Sequence, residues 1–190
     1  MRLLTLSMLG CAAVVACNDP FGELPPPNFA NVVDTVHLYA LSGTPITLPS
    51  GYFIAARQVM RTDQATENLM FDFAFDLDED GNAKLLPTGA LNLGRQSGIQ
   101  LSSESFEGII VAPTTGYQRD SAVFVDSGSV AIVHSRPHSC GNLTTAPYFA
   151  KLRVITIDQG THPEGRRIDF EILVDQNCGY RGLEPGLPRR

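Results

Sequence analysis

The chain has 190 residues, of which 43% are hydrophobic and 18% are charged. This length and composition fit one globular domain with a buried core. The 17 glycines and 13 prolines follow no fixed period, which excludes collagen, and the ordinary share of apolar residues excludes a wholly disordered chain. The net charge of -6 and the lack of a basic stripe exclude nucleic acid as a partner.

Residues 1–16 have the composition of an export signal. Arg2 supplies one positive charge, and the mainly apolar run 3–15 follows it. Because a helix that spans a bilayer needs about 20 apolar residues, this run is too short for a membrane span and fits the hydrophobic region of a signal peptide. The sequence therefore predicts export from the cytoplasm.

The signal ends in Val14-Val15-Ala16-Cys17, which resembles the lipobox of bacterial lipoproteins. The resemblance implies cleavage before Cys17, a diacylglycerol on its sulfur and an acyl chain on its amine. A second box ends at Cys11 but leaves a hydrophobic region of only about seven residues, at the low edge for a signal. A signal peptide cut near Ala16 without lipidation, and an uncleaved anchor, are the alternatives.

Residues 17–33 are predicted to be the lipidated cysteine and a proline-rich tether. Asn18 follows Cys17 where the family's best-known signal for retention in the inner membrane would have aspartate, so the outer membrane is favoured. Proline-rich chain extends about 3.1 Å per residue, so residues 18–33 would reach up to about 50 Å from the lipid. An irregular strand packed on the domain is the alternative for this segment.

The body of the chain, residues 34–181, alternates apolar and polar residues with a period of two. Phe71, Phe73 and Phe75 alternate with Asp72 and Ala74, which predicts a half-buried strand, and residues 168–174 follow the same pattern. Further strands are expected at 36–41, 52–56, 83–86, 106–112, 122–126, 129–135 and 148–158. Short strands without helical segments between them predict an all-β fold, an antiparallel β-sandwich of about 8–10 strands, Ig-like or jelly-roll-like. Residues 182–190 are predicted to be a flexible tail.

Cys140 and Cys178 remain after the signal and the lipid anchor are assigned. A disulfide is expected because exported proteins fold in an oxidising compartment. If the strands before the two cysteines flank the 148–158 strand in a meander, both cysteines emerge at the same end of the sheet. The alternatives are free thiols and a metal site formed by both cysteines with His134 and His138. The segment 177–181 is expected to attach the C-terminus to the sheet, with Gly179 in a conformation that other residues avoid.

The segment Asp76-Leu77-Asp78-Glu79-Asp80-Gly81 resembles the opening of an EF-hand-type calcium loop. Asp76, Asp78 and Asp80 are therefore candidate ligands of a structural calcium ion. The position of the bidentate glutamate holds Pro87, however, and a hairpin turn without an ion explains the same residues. No other cofactor is expected.

The sequence lacks the common signatures of hydrolases, metalloproteases and nucleotide-binding proteins, and no catalytic residue is assigned. The expected function is a membrane-anchored envelope lipoprotein that binds a protein or glycan without catalysis. The alternative is a small envelope hydrolase or metal-dependent enzyme that uses the His134/His138 loop or the Asp76–Asp80 turn.

Overall fold

A computed structural model of the chain describes residues 25–66, 70–140, 144–160 and 165–189. Within these ranges the chain forms ten β-strands and three short 3₁₀ helices, and no helix there is long and apolar enough to cross a membrane. The strands are β1 (Val33–Tyr39), β2 (Gly51–Phe53), β3 (Gln58–Met60), β4 (Phe73–Leu77), β5 (Ala83–Pro87), β6 (Gly98–Ser102), β7 (Val123–Val125), β8 (Val130–Ser139), β9 (Thr145–Asp158) and β10 (Arg167–Asp175). The 3₁₀ helices are Ile54–Ala56, Thr62–Gln64 and Thr88–Leu91.

The strands form two five-stranded antiparallel sheets. The first sheet has the order β1-β10-β9-β8-β6, and the second has the order β3-β2-β4-β5-β7. The predicted antiparallel β-sandwich is thus confirmed, and the last three strands form the predicted meander. β1 begins at the end of the first sheet where β8 and β10 end. We call it the disulfide end, because Cys140 follows β8 there and Cys178 follows β10.

The main core lies between the sheets and is built by alternate residues of the strands. Tyr52 stacks on Phe73 with 5.6 Å between ring centroids, and both rings contact Phe170 of the opposite sheet. In β10 the predicted alternation places Ile168, Phe170, Ile172 and Val174 in this core. Burial of these apolar side chains is the main force that holds the sheets together.

The outer face of the second sheet is also covered, which corrects the prediction of a half-buried strand at 71–77. Every residue of β4 is buried, including Asp76, and Asp72 just before the strand is fully buried. Met60, Phe71, Ala74 and Leu86 form an apolar cluster outside the main core. A central strand between two apolar layers is buried on both faces.

A second apolar cluster covers the outer face of the first sheet. Residues 106–112, predicted to be a strand, lie in the long connection between β6 and β7, and Phe106 and Ile109 pack onto β8 and β9 there. Leu183, predicted to lie in a flexible tail, is fully buried in the same cluster. The tail prediction is therefore wrong for the described residues, because the backbone of 182–186 pairs with Val111 and Asn31.

The tether prediction also changes for residues 25–33. Asn31 is buried, and its amide nitrogen donates to the carbonyl oxygens of Gly182 (2.7 Å) and Glu184 (3.1 Å). The segment is therefore the irregular edge piece that was the alternative, and it continues into β1 at Val33. Residues 18–24 of the predicted tether, the export signal and Cys17 lie outside the described residues.

Candidate functional site

The three aspartates of the predicted calcium loop do not converge. The carboxylate of Asp76 accepts hydrogen bonds from the backbone N–H (2.9 Å) and the hydroxyl (3.0 Å) of Ser42, and Lys84 Nζ lies 3.6 Å from it. The Asp78 carboxylate instead accepts bonds from the backbone N–H groups of Asp80 and Asn82, and from the Asn82 side chain. Across all described residues, no three His, Cys, Asp or Glu side chains cluster closely enough to hold a metal ion.

The hydrogen bonds of Asp78 explain the turn without an ion. The Asn82 side chain contributes most to lowering the pKa of the Asp78 carboxyl, so the carboxylate form caps the turn. Gly81 takes a positive φ of 86°, which glycine adopts without strain. The 78–82 segment is therefore a hairpin connection between β4 and β5, as the simpler interpretation predicted.

Cys140 and Cys178 form a disulfide, with 5.6 Å between their Cα atoms. Cys140 follows β8 and Cys178 follows β10, and the two strands end at the same end of the first sheet, as the predicted meander requires. Gly179, next to Cys178, has a positive φ of 81°, as expected from the sequence. Because both thiols are used in this bond, the alternative metal site with His134 and His138 loses two ligands.

The two histidines also belong to different environments. His134 contacts Phe149 in the outer cluster, with 6.5 Å between ring centroids. His138 stacks on Tyr148, which packs against the main core, at 4.8 Å. An irregularity in the pairing of β8 and β9 lies between the two histidines. The two imidazoles therefore lie in different clusters of the fold.

One side of His134 lines a small cleft of about 190 Å³ on the outer side of the first sheet. Exposed polar side chains form part of its wall, and apolar side chains form the rest. The lining residues are Gln96, Thr114, Arg119, His134, Ser135, Pro137, Pro147 and Phe149. A guanidinium, an amide and a hydroxyl around an apolar surface can hold a small polar group by hydrogen bonds.

The protonation state of His134 follows from its contacts. Its Nδ1 lies 2.9 Å from the carbonyl oxygen of Ser135, which can only accept, so Nδ1 carries the proton. Burial, with the charge of Arg119 as a smaller cause, lowers the pKa of His134, although the bond to Ser135 opposes this. Nε2 is therefore a neutral acceptor, and it is buried without a hydrogen-bond partner among the described residues.

Ser135 does not serve as a nucleophile in this arrangement. Its hydroxyl donates to the carbonyl oxygen of Arg136 at 2.6 Å and accepts from the backbone N–H of Tyr148 at 2.9 Å. His134 contacts it only through the Ser135 carbonyl. A general base has to reach the hydroxyl proton of its nucleophile, and this geometry does not provide that contact.

Asp72 and Lys151 are buried charged residues that sequence reasoning missed. Asp72 accepts hydrogen bonds from the backbone N–H groups of Ile54 (2.8 Å) and Arg136 (2.9 Å), and burial raises its pKa to about 6. Lys151 in β9 donates to the carbonyl oxygens of Phe106 (2.6 Å) and Ile109 (2.9 Å). Burial lowers the pKa of Lys151, and the nearby acidic residues oppose this shift. Asp72 and Lys151 lie in segments whose alternating pattern predicts a strand but does not predict the segments that cover its outer face.

Asn177 organises the disulfide end. Its side-chain oxygen accepts from the backbone N–H groups of Asn28 (2.8 Å) and Phe29 (3.0 Å). Its side-chain nitrogen donates to the carbonyl of Phe29 and to the carboxylate of Asp175, each at 2.8 Å. The hydroxyl of Tyr180 donates to the carbonyl of Pro25 at 2.9 Å. The start of the described chain is therefore fixed beside Cys178.

No model of a known protein family matches the chain, and no curated protein is significantly similar to it.

Proposed function

We propose that this chain is an exported lipoprotein, held on a membrane by lipid on Cys17, whose β-sandwich is a non-catalytic binding module of the cell envelope. The outer membrane is the favoured location, because Asn18 follows Cys17. The observation that carries the proposal is the lipobox-like end of the signal at Cys17, only eight residues before Pro25. The disulfide supports it, since such bonds persist in oxidising compartments outside the cytoplasm.

The binding role is supported by the cleft beside His134. Its volume of about 190 Å³ is below the range of roughly 300–1,000 Å³ for pockets that enclose a drug-sized ligand. It therefore suits one side chain of a protein or one unit of a glycan. The exposed Arg119 and Gln96 at the wall favour a ligand with carboxylate or hydroxyl groups.

Mass spectrometry of the mature protein tests the anchor. We expect an N-terminus at Cys17 that carries a diacylglycerol and an acyl chain. Cys17→Ala should abolish this modification and release the protein from the membrane fraction, whereas the matched variant Cys11→Ala should leave both unchanged. An unmodified N-terminus in the wild-type protein would contradict the proposal.

Crosslinking in intact cells tests the cleft. A photoreactive side chain in place of Thr114 should capture one envelope protein or glycan, and Arg119→Ala should weaken that capture. The same photoreactive side chain in place of the exposed Ile46, which lies beyond the far end of β1, is the control. Equal capture at both positions, or capture that does not depend on Arg119, would refute binding in the cleft.

A further inference from the structure

Several large apolar side chains are exposed together near the disulfide end. Their exposed fractions range from 48% for Val32 to 59% for Leu187. We call this group the terminal patch. Its members are Phe29, Val32, Ile110, Val111 and Leu187.

The backbone segments that carry the terminal patch lie side by side. Asn31 and Gly186 exchange two backbone hydrogen bonds, of 2.7 and 2.9 Å. The N–H of Leu183 donates to the carbonyl of Ile110 at 2.8 Å, and Val111 pairs with Gly182. Segment 182–186 therefore joins the N-terminal segment to the loop before β7. Exposed apolar side chains on adjoining segments mark a candidate interaction surface.

The chain that connects the domain to Cys17 reaches this same end. Pro25 is fixed there by its bond to Tyr180. Eight residue steps from Cys17 to Pro25 span at most about 28 Å, even when fully extended. A domain of this size is roughly 40 Å across. A lipid on Cys17 therefore keeps the disulfide end close to the membrane.

We propose that the terminal patch rests on the lipid bilayer that holds the anchor, an inference that depends on the proposed lipidation of Cys17. Valine, isoleucine, leucine and phenylalanine side chains enter the boundary between headgroups and acyl chains. The five members of the patch are uncharged, the exposed Glu184 lies in the adjoining segment, and the chain as a whole is acidic, with a net charge of -6. Apolar contact, rather than attraction to anionic lipid, holds the domain against the surface, so salt has little effect on it.

The chain contains no tryptophan, so a single introduced tryptophan gives a clean fluorescence signal. The lipidated full-length mature protein is reconstituted in phosphatidylethanolamine and phosphatidylglycerol vesicles whose acyl chains are brominated. Phe29→Trp and, independently, Leu187→Trp should show blue-shifted emission that the bromine quenches. Ile46→Trp, at an exposed site beyond the far end of β1, which is about 20 Å long, should show neither effect.

The outcomes separate this inference from the function on which it rests. If the mass spectrum shows lipid on Cys17 but neither patch tryptophan is quenched, the membrane contact is refuted and the lipoprotein proposal stands. A blue shift without quenching means that a second copy of the chain or another protein covers the patch, which also refutes the contact. If Cys17 carries no lipid, both proposals fail.

Discussion

The carboxylate of Asp72 accepts a hydrogen bond of 2.9 Å from the backbone N–H of Arg136, and this bond joins the two sheets. Asp72 leads into β4 of the second sheet, whereas Arg136 lies in β8 of the first. The second carboxylate oxygen accepts from Ile54, so both oxygens have a backbone donor. The bulge of β8 is thus held by a buried acidic group.

The raised pKa of Asp72 makes one contribution to the pH dependence of stability. Burial raises this pKa to about 6 in the folded state, so the folded chain binds the proton more tightly than the unfolded chain. The contribution of Asp72 protonation to the free energy of unfolding is therefore complete below the pKa of Asp72 in the unfolded chain. It is lost as the pH rises through about 6, the pKa of Asp72 in the folded chain. The loss amounts to roughly 3 kcal/mol in the free energy of unfolding.

Urea unfolding between pH 4 and pH 8 measures this effect. Between about pH 4 and pH 7, the stability of the wild-type protein should fall by roughly 3 kcal/mol relative to that of Asp72→Asn. Glu79→Gln, at an exposed carboxyl in the β4–β5 turn, should leave this fall unchanged. An Asp72→Asn profile that is parallel to the wild-type profile would show that another group causes the pH dependence.

Asp72 also shows the limit of sequence reasoning. The alternation of apolar and polar residues correctly predicted which side chains of β4 and β10 face the core, because side chains point to opposite faces of a strand. It was wrong for Phe71, which packs in the outer cluster and not on the face of Phe73 and Phe75. The same alternation carries no information about what covers the other face. The outer face of the first sheet is covered by the long connection before β7, and residues 70–71 help to cover that of the second sheet. Both segments contact residues that are distant from them in the sequence.

The two ends of the domain differed from prediction for a related reason. Prolines and glycines near both ends indicated free chain, but the segments at Asn31 and Gly186 pair with each other through their backbones. Backbone pairing needs no apolar pattern, so composition did not reveal it. The disulfide, in contrast, was predictable, because the order of adjacent strands in a meander fixes where Cys140 and Cys178 emerge.

Reduction of the disulfide should lower the free energy of unfolding substantially. Cys140 and Cys178 are 38 residues apart, and a loop of this length contributes about 4 kcal/mol in the chain-entropy model. The double variant Cys140→Ser/Cys178→Ser should unfold at the urea concentration of the reduced wild-type protein and should not respond to reductant. Two reactive thiols in denatured, unreduced protein would contradict the bond.

Lys151→Met should destabilise the domain by roughly 2–4 kcal/mol. The substitution keeps the apolar stem but removes the donor for the buried carbonyl oxygens of Phe106 and Ile109. Hydrogen exchange should therefore increase across residues 103–112. The matched variant Arg95→Met removes only an exposed ion pair with Asp120, and we expect a loss of about 0–1 kcal/mol. Equal losses for the two variants would contradict a specific role for Lys151.

Asn177→Ala should release the N-terminal segment from the disulfide end. Four side-chain hydrogen bonds to Asn28, Phe29 and Asp175 are lost, and we expect a destabilisation of roughly 2 kcal/mol. The decisive measurement is hydrogen exchange at the amides of Asn28 and Phe29, which should lose protection. Asn82→Ala, at the exposed hairpin turn, should leave these amides protected. Unchanged exchange in Asn177→Ala would show that other contacts fix the segment.

Gly98 and His134 are paired across β6 and β8, and the imidazole occupies the space that a side chain at position 98 would need. A Cβ atom there would lie 2.6 Å from His134 Nε2 and 2.8 Å from Tyr117 Cβ. Gly98→Ala should therefore destabilise the domain by about 1–3 kcal/mol through steric overlap.

Urea unfolding of Gly98→Ala, His134→Ala and the double variant measures the coupling between the two positions. The double variant should be more stable than the sum of the single effects predicts, because removal of the imidazole relieves part of the overlap. Gly98→Ala combined with His138→Ala, whose ring stacks on Tyr148 instead, should be additive. Additivity of Gly98→Ala with His134→Ala would mean that the imidazole does not limit the residue at position 98.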